Sequence, residues 1–126
     1  MKKQIADIKA FQTAFECNVL PVPTMPAKPI QHLRERLLQE ELDELKVANI
    51  DGDIVEVADA LVDIMYVLLG TACEYGLIDK MEEMWDLVHA SNMSKLDENG
   101  RPIRREDGKI IKPPTYVKVD LKPLFL

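Results

Sequence analysis

The sequence predicts an all-α fold: an antiparallel helical bundle of about four helices with a short C-terminal β-hairpin, assembled as an oligomer. Three observations carry this. Apolar residues recur at helical spacing in residues 3–16, 30–48, 53–75 and from Asp79 onward. The chain breakers fall between those segments: Pro21, Pro23, Pro26 and Pro29, then Asn49 with Gly52, then Gly76. The third segment is apolar on so many sides that the other short helices of one chain cannot cover it, which points to a second copy.

Residues 1–126 are read as one domain, since the length suits a single core and no repeat or low-complexity tract interrupts it. Hydrophobic residues make up 47% but aromatics only 6%, so Leu, Ile, Val and Met must form the core. A net charge of −6 argues against a nucleic-acid backbone as partner. Cys17 and Cys73 show neither metal spacing nor a disulfide framework, as expected of structural thiols in a reducing cytoplasm. The charged stretch MKKQIADIKAFQTAF lacks the apolar region of a signal peptide. The apolar run 54–72 is interrupted by Glu56, Asp59 and Asp63, so no membrane span is expected.

In the first helix Ile5, Ile8, Phe11 and Phe15 share a face. Both rings suit a core; the functional alternative sets one ring, or Gln12, against a nucleobase. The proline-rich stretch 17–29 excludes helix and strand and reads as a connector. The second helix, Ile30 to about Ala48, carries Leu33, Leu37, Leu38 and Leu45 as its apolar stripe. Arg34 lies two turns before Glu41 on one face, where it pairs with an acid, reaches a phosphate, or forms an ordinary surface ion pair. Gly52 and Asn49 suit a helix stop, and Asp53 suits the N-cap of the third helix, which runs to about Tyr75. Asp79 with Glu82 has the capping-box spacing and opens the fourth helix. Its stripe of Met81, Met84, Trp85 and Val88 continues into Asn92 and Lys95, polar groups where core residues should stand. The alternative is fraying after His89. Beyond a turn at 97–100, basic residues flank Glu106-Asp107-Gly108, which reads as a β-hairpin carrying Arg101, Arg104, Arg105, Lys109 and Lys112.

The chemistry concentrates on the second and third helices. Glu40, Glu41 and Glu44 lie on one arm; Glu56, Asp59 and Asp63 lie on the other. Folding the arms back about Ile50-Asp51 sets Glu44 about level with Glu56, and Glu41 about level with Asp59. Ionised carboxylates crowded in an apolar helix pair need a compensating charge, and the third helix offers no Lys or Arg. An oxygen-only ligand set without His or Cys fits a hard cation such as Mg²⁺ or Mn²⁺. The bland alternatives are a solvated face for Glu40 to Glu44 and a capping box for Asp53 with Glu56.

The pair Glu41-Leu42-Asp43-Glu44 and Glu56-Val57-Ala58-Asp59, the stretch ADALVDIMYVLLGTACEYG and the segment VHASNMSK resemble the MazG-like, all-α nucleotide pyrophosphohydrolases. That superfamily includes dimeric dUTPases and phosphoribosyl-ATP pyrophosphatases. The resemblance implies Mg²⁺, for which Mn²⁺ can substitute, held by Glu41, Glu44, Glu56 and Asp59. It implies hydrolysis of the α–β link of a nucleoside triphosphate, with a deoxynucleotide as the candidate, to monophosphate and pyrophosphate. Glu40 or Glu44 is the expected base, and Asn92, Lys95, Arg34 and Gln12 are the expected substrate contacts. A homodimer or homotetramer in the cytoplasm is implied as well. The rivals are a phosphoribosyl-ATP pyrophosphatase and a non-catalytic, metal-stabilised helical oligomerisation module.

Overall fold

The computed structural model describes residues 1–125 and divides the chain into two compact units, Met1–Asp79 and Lys80–Leu126. Among the described residues the elements are α1 (Lys2–Ala14), α2 (Lys28–Asp51), α3 (Ile54–Glu74), a 3₁₀ turn (Ile78–Lys80), α4 (Met81–Met93) and a second 3₁₀ turn (Lys122–Phe125). The all-helical expectation holds.

In the first unit α2 and α3 form the main packed pair, and α1 lies against α3. The link between α2 and α3 is only Gly52 and Asp53. Gly52 takes φ +67°, the left-handed conformation that glycine accepts without a Cβ clash. The Asp53 carboxylate then accepts from Val55 N at 3.0 Å and Glu56 N at 3.2 Å, capping α3 as its sequence position suggests. Arg34 near the start of α2 meets Thr71 near the end of α3, so the two helices run antiparallel. Ile8, Ala48, Ala60, Leu69, Ala72, Cys73 and Ile78 are the buried apolar residues.

The connector after α1 is bound rather than merely spacing. Asn18 N and Nδ2 donate to the Glu74 carboxylate, and Gln12 Nε2 donates to the same carboxylate and to Asn18 O. Leu20 N donates to Cys73 O and Thr24 N to Tyr75 O. These bonds satisfy polar groups that burial would otherwise penalise.

Two expectations are corrected here. The capping box at Asp79 does not form. The Asp79 carboxylate instead takes the Lys9 ammonium at 2.5 Å, a 3₁₀ turn intervenes, and α4 begins at Met81 with no side-chain cap. The second concerns Asp59, which is exposed instead of lying deep in an apolar interior. The same helix leaves Ile54, Val55, Leu61 and Val62 each more than half exposed, so one chain does not cover it, as its apolar run suggested.

In the second unit α4 persists past His89 to Met93, so Asn92 is helical and no fraying occurs there. The expected hairpin reduces to two isolated antiparallel bridges, Leu96 with Pro102 and Arg104 with Ile110, and no strand is formed among the described residues. Pro102, Pro113 and Pro114 bring no N–H, so the ladder cannot extend past these few pairs. Arg105 is paired with Asp107 at 2.6 Å, and the Lys112 ammonium lies 5.0 Å from the Tyr116 ring centre. Among the described residues no helix is long and apolar enough to cross a membrane.

Candidate metal centre

The turn fixes which acids meet. It lies at Gly52-Asp53, two residues beyond a fold about Ile50-Asp51. That moves the α3 partner of any α2 residue by about four positions, or about one helical turn. Glu41 therefore stands opposite Asp63, where the sequence reading set it against Asp59. Glu41, Glu44 and Asp63 each offer a carboxylate oxygen within 4.8 Å of the others.

Within this group Glu41 Oε2 is buried and makes no hydrogen bond. Desolvation pushes the Glu41 carboxyl above its ordinary range, and the charge and hydrogen bond of Glu44 add to the shift, with Asp63 and Glu40 contributing. Desolvation also raises the Asp63 carboxyl, reinforced by the charges of Asp59 and Glu44. Three carboxylates held together with one oxygen buried and unpaired are what a cation would compensate.

Glu44 is shared with an open groove of about 550 Å³ whose other acidic walls are Asp43, Asp51, Glu56 and Asp59. Glu56 and Asp59 thus border the same acidic region as exposed carboxylates one or two turns nearer the interhelical link. Glu40 is exposed beside Glu41. Asp63 is absent from the ligand set read from sequence, although the signal existed: it follows Glu56 by seven residues and Asp59 by four, all on one helical face.

The expected substrate contacts separate into two kinds. Arg34 is nine-tenths buried; its Nε donates to Thr71 Oγ1 at 3.0 Å and its Nη2 to Val67 O at 2.9 Å. The guanidinium lies over Gly70, where a Cβ would come within 2.6 Å of Nη2. Gln12 is 1% exposed and committed to Asn18 and Glu74. Asn92 is exposed and Lys95 half-buried; neither side chain makes a hydrogen bond or ion pair among the described residues. An Arg34→Met substitution should accordingly lower the melting temperature, with about 1.5–3 kcal/mol lost for a charged hydrogen bond. Thermal melts with and without substrate check this; an unchanged melt with a raised KM would instead put Arg34 on the substrate.

The acid group also predicts a pH dependence. Both carboxyls have folded-state values raised above their unfolded ones, so the native state binds protons more tightly. Their contribution to stability is fully present below the unfolded pKa and is lost as pH rises through the raised folded values. Melting in EDTA should show the stability of the parent relative to a Glu41→Gln/Asp63→Asn variant falling as pH rises from about 4 towards 8. A difference that grows over that range would contradict the shifts.

Among families of known proteins, the model described as phosphoribosyl-ATP pyrophosphohydrolase matches residues 8–92. The matched region contains α1 from Ile8 onward and α2 and α3 whole, hence every acid of the site, and ends at Asn92. No curated protein matches the chain. The matched family lies in the MazG-like all-α superfamily, as the acid pattern suggested, and its chemistry is the hydrolysis of acid anhydrides in nucleotide-linked pyrophosphates. With more than half of the chain matched over a helical pair that gathers these carboxylates, the protein belongs to the phosphoribosyl-ATP pyrophosphohydrolase family and is a pyrophosphohydrolase.

Proposed function

We propose that the chain is a Mg²⁺-dependent enzyme that cleaves the α–β link of a nucleoside triphosphate, a deoxynucleotide by preference, releasing monophosphate and pyrophosphate. The observation that carries this is the buried, unpaired Glu41 Oε2 among the carboxylates of Glu44 and Asp63. The donor set fits a hard divalent cation, Mg²⁺ or Mn²⁺, since every ligand is oxygen. Glu41, Glu44 and Asp63 would hold the ion, with Glu56 and Asp59 extending the site along the groove. When bound, the metal neutralises phosphate charge and makes a water more acidic. Glu40 or Glu44, both exposed, orients the attacking water and takes its proton. Asn92 and Lys95 bind phosphate oxygens or the nucleoside, as the family resemblance implies. Arg34 and Gln12 act by fixing α3 and the connector. The base stacks on the exposed group of Phe11, Phe15 and Tyr66, in which the two Phe rings lie 4.4 Å apart and Tyr66 meets Phe11 edge-on.

A homodimer or homotetramer completes this reading, with a second copy covering the apolar face of α3 that one chain leaves open. Light scattering should give a mass at or above twice 14.3 kDa. A monomer at micromolar concentration would remove this part.

Phosphoribosyl-ATP is the second substrate reading, favoured by the description of the matched family. A pyrophosphate-release screen over the common ribo- and deoxynucleoside triphosphates and phosphoribosyl-ATP, each with Mg²⁺ and with EDTA, tests both. Release that needs Mg²⁺ or Mn²⁺ supports the reading. Full turnover in EDTA, or none with any nucleotide, would sink it.

A further inference from the structure

The end of α4 carries an arrangement that the acid site does not use. Ser91 is buried, and its Oγ donates to Val117 O at 2.7 Å. Val117 N donates back to Ser94 Oγ at 2.8 Å, while Ser94 Oγ donates to Ser91 O at 2.6 Å. Two residues before Val117, Thr115 Oγ1 donates to Leu96 O at 3.2 Å. Both backbone groups of one tail residue are thus held by serine hydroxyls of the helix. Apolar burial is not what holds that residue, because the Val117 side chain is 66% exposed.

Serines three apart share one helical face. Asn92 and Lys95 have the same spacing and follow each serine by one residue, so they sit about 100° further round the axis. Lys95 N donates to Asn92 O at 3.1 Å, which ties the two backbones together just past the helix end. Their side chains have no internal partners among the described residues, whereas both neighbouring serines are fully engaged. The tail covers one side of the helix terminus and leaves the adjacent donors available to an anion.

We infer that Ser91 and Ser94 are positioning residues: by clasping the tail at Val117 they fix the end of α4 so that Asn92 and Lys95 present their donors to phosphate oxygens. This rests on the phosphate role proposed above for Asn92 and Lys95. The clasp joins residues more than twenty positions apart and turns the C-terminal tail into a working part of the phosphate-binding segment.

Calorimetric titration of inorganic tripolyphosphate, in Mg²⁺, into the full chain tests it. Ser91→Ala/Ser94→Ala should bind about tenfold more weakly than the parent, and Ser91→Thr/Ser94→Thr, which keeps both hydroxyls, should recover most of that loss. In a Lys95→Ala background the serine changes should add less than about twofold, because their effect passes through Lys95. Should the double alanine variant not fold, Ser94→Ala alone carries the same comparison. Parental binding by the serine variants, or a full additive loss in the Lys95→Ala background, overturns the clasp while leaving the phosphate role of Lys95 standing. Parental binding by Lys95→Ala itself removes that role, and the clasp's purpose with it.

Discussion

Glu41→Gln should leave the metal-free protein melting no lower than the parent, abolish most of the Mg²⁺-induced rise in melting temperature, and cut pyrophosphate release by orders of magnitude. The substitution removes a negative charge at nearly constant volume from a position where burial and three neighbouring acids already oppose ionisation. The new amide N–H₂ can donate to Glu44, keeping a hydrogen bond between the two side chains while relieving repulsion, and Glu41 Oε2 has no native partner to lose. Ligand binding to the native state alone is what raises the melting point, by about 2.7 kcal/mol at a hundredfold excess over Kd. A variant that cannot hold the cation loses that gain. Loss of a supporting residue around a metal costs about 10–100-fold in affinity or activity, so loss of a ligand should cost at least as much. Melts in Mg²⁺ and in EDTA, with a pyrophosphate assay, decide the matter. A large loss of stability indifferent to metal would make Glu41 a structural acceptor instead.

The second large effect is on folding. Gly76→Ala should destabilise the chain by about 3 kcal/mol or more, against about 1 kcal/mol for Gly52→Ala. Both glycines have φ +67°, so the left-handed backbone cost is common to them. Only Gly76 has a close neighbour: a Cβ there would fall 1.8 Å from Val22 O, whereas nothing lies within 4 Å of one at Gly52. The connector would have to retreat, which threatens its bonds from Leu20 to Cys73 and from Thr24 to Tyr75. Denaturant melts of the two variants isolate the contact; equal losses would mean that the connector moves away freely.

Gly76 also illustrates what the chain reveals by itself and what it conceals. A helix stop is legible there, because glycine accepts the left-handed conformation. The approach of Val22 is not, because it depends on a connector bound more than fifty residues away in sequence. The four helices and the Asp53 cap were legible for similar local reasons: apolar spacing and a side-chain oxygen next to free N–H groups. The Asp79 cap failed because Lys9, seventy positions distant, competes for its carboxylate. The hairpin failed on a rule that was available, since Pro102 lies within it and Pro113 and Pro114 follow it directly, which stops its ladder from extending.

The acid site was legible in kind more than in register. Six carboxylates on two arms announced an acidic cluster between the helices, but placing the turn two residues early moved each partner by about one helical turn. Asp63 entered the group by that difference alone. Arg34 shows how internal partners can stay hidden. Its spacing from Glu41 left an acid, a phosphate or a surface ion pair open, while its Nε and Nη2 reach Thr71 and Val67 across a gap that Gly70 leaves open. Such a gap has no local signature.

Glu41, Glu44 and Asp63 together should hold the divalent cation. Titrating Mn²⁺ into nucleotide-free parent and Asp63→Asn, with free Mn²⁺ read by electron paramagnetic resonance, addresses it without reference to turnover. The expected result is saturable binding by the parent that weakens at least about tenfold in the variant. Equal binding by the two proteins would rule out this ligand set, because the cation would then be held without Asp63.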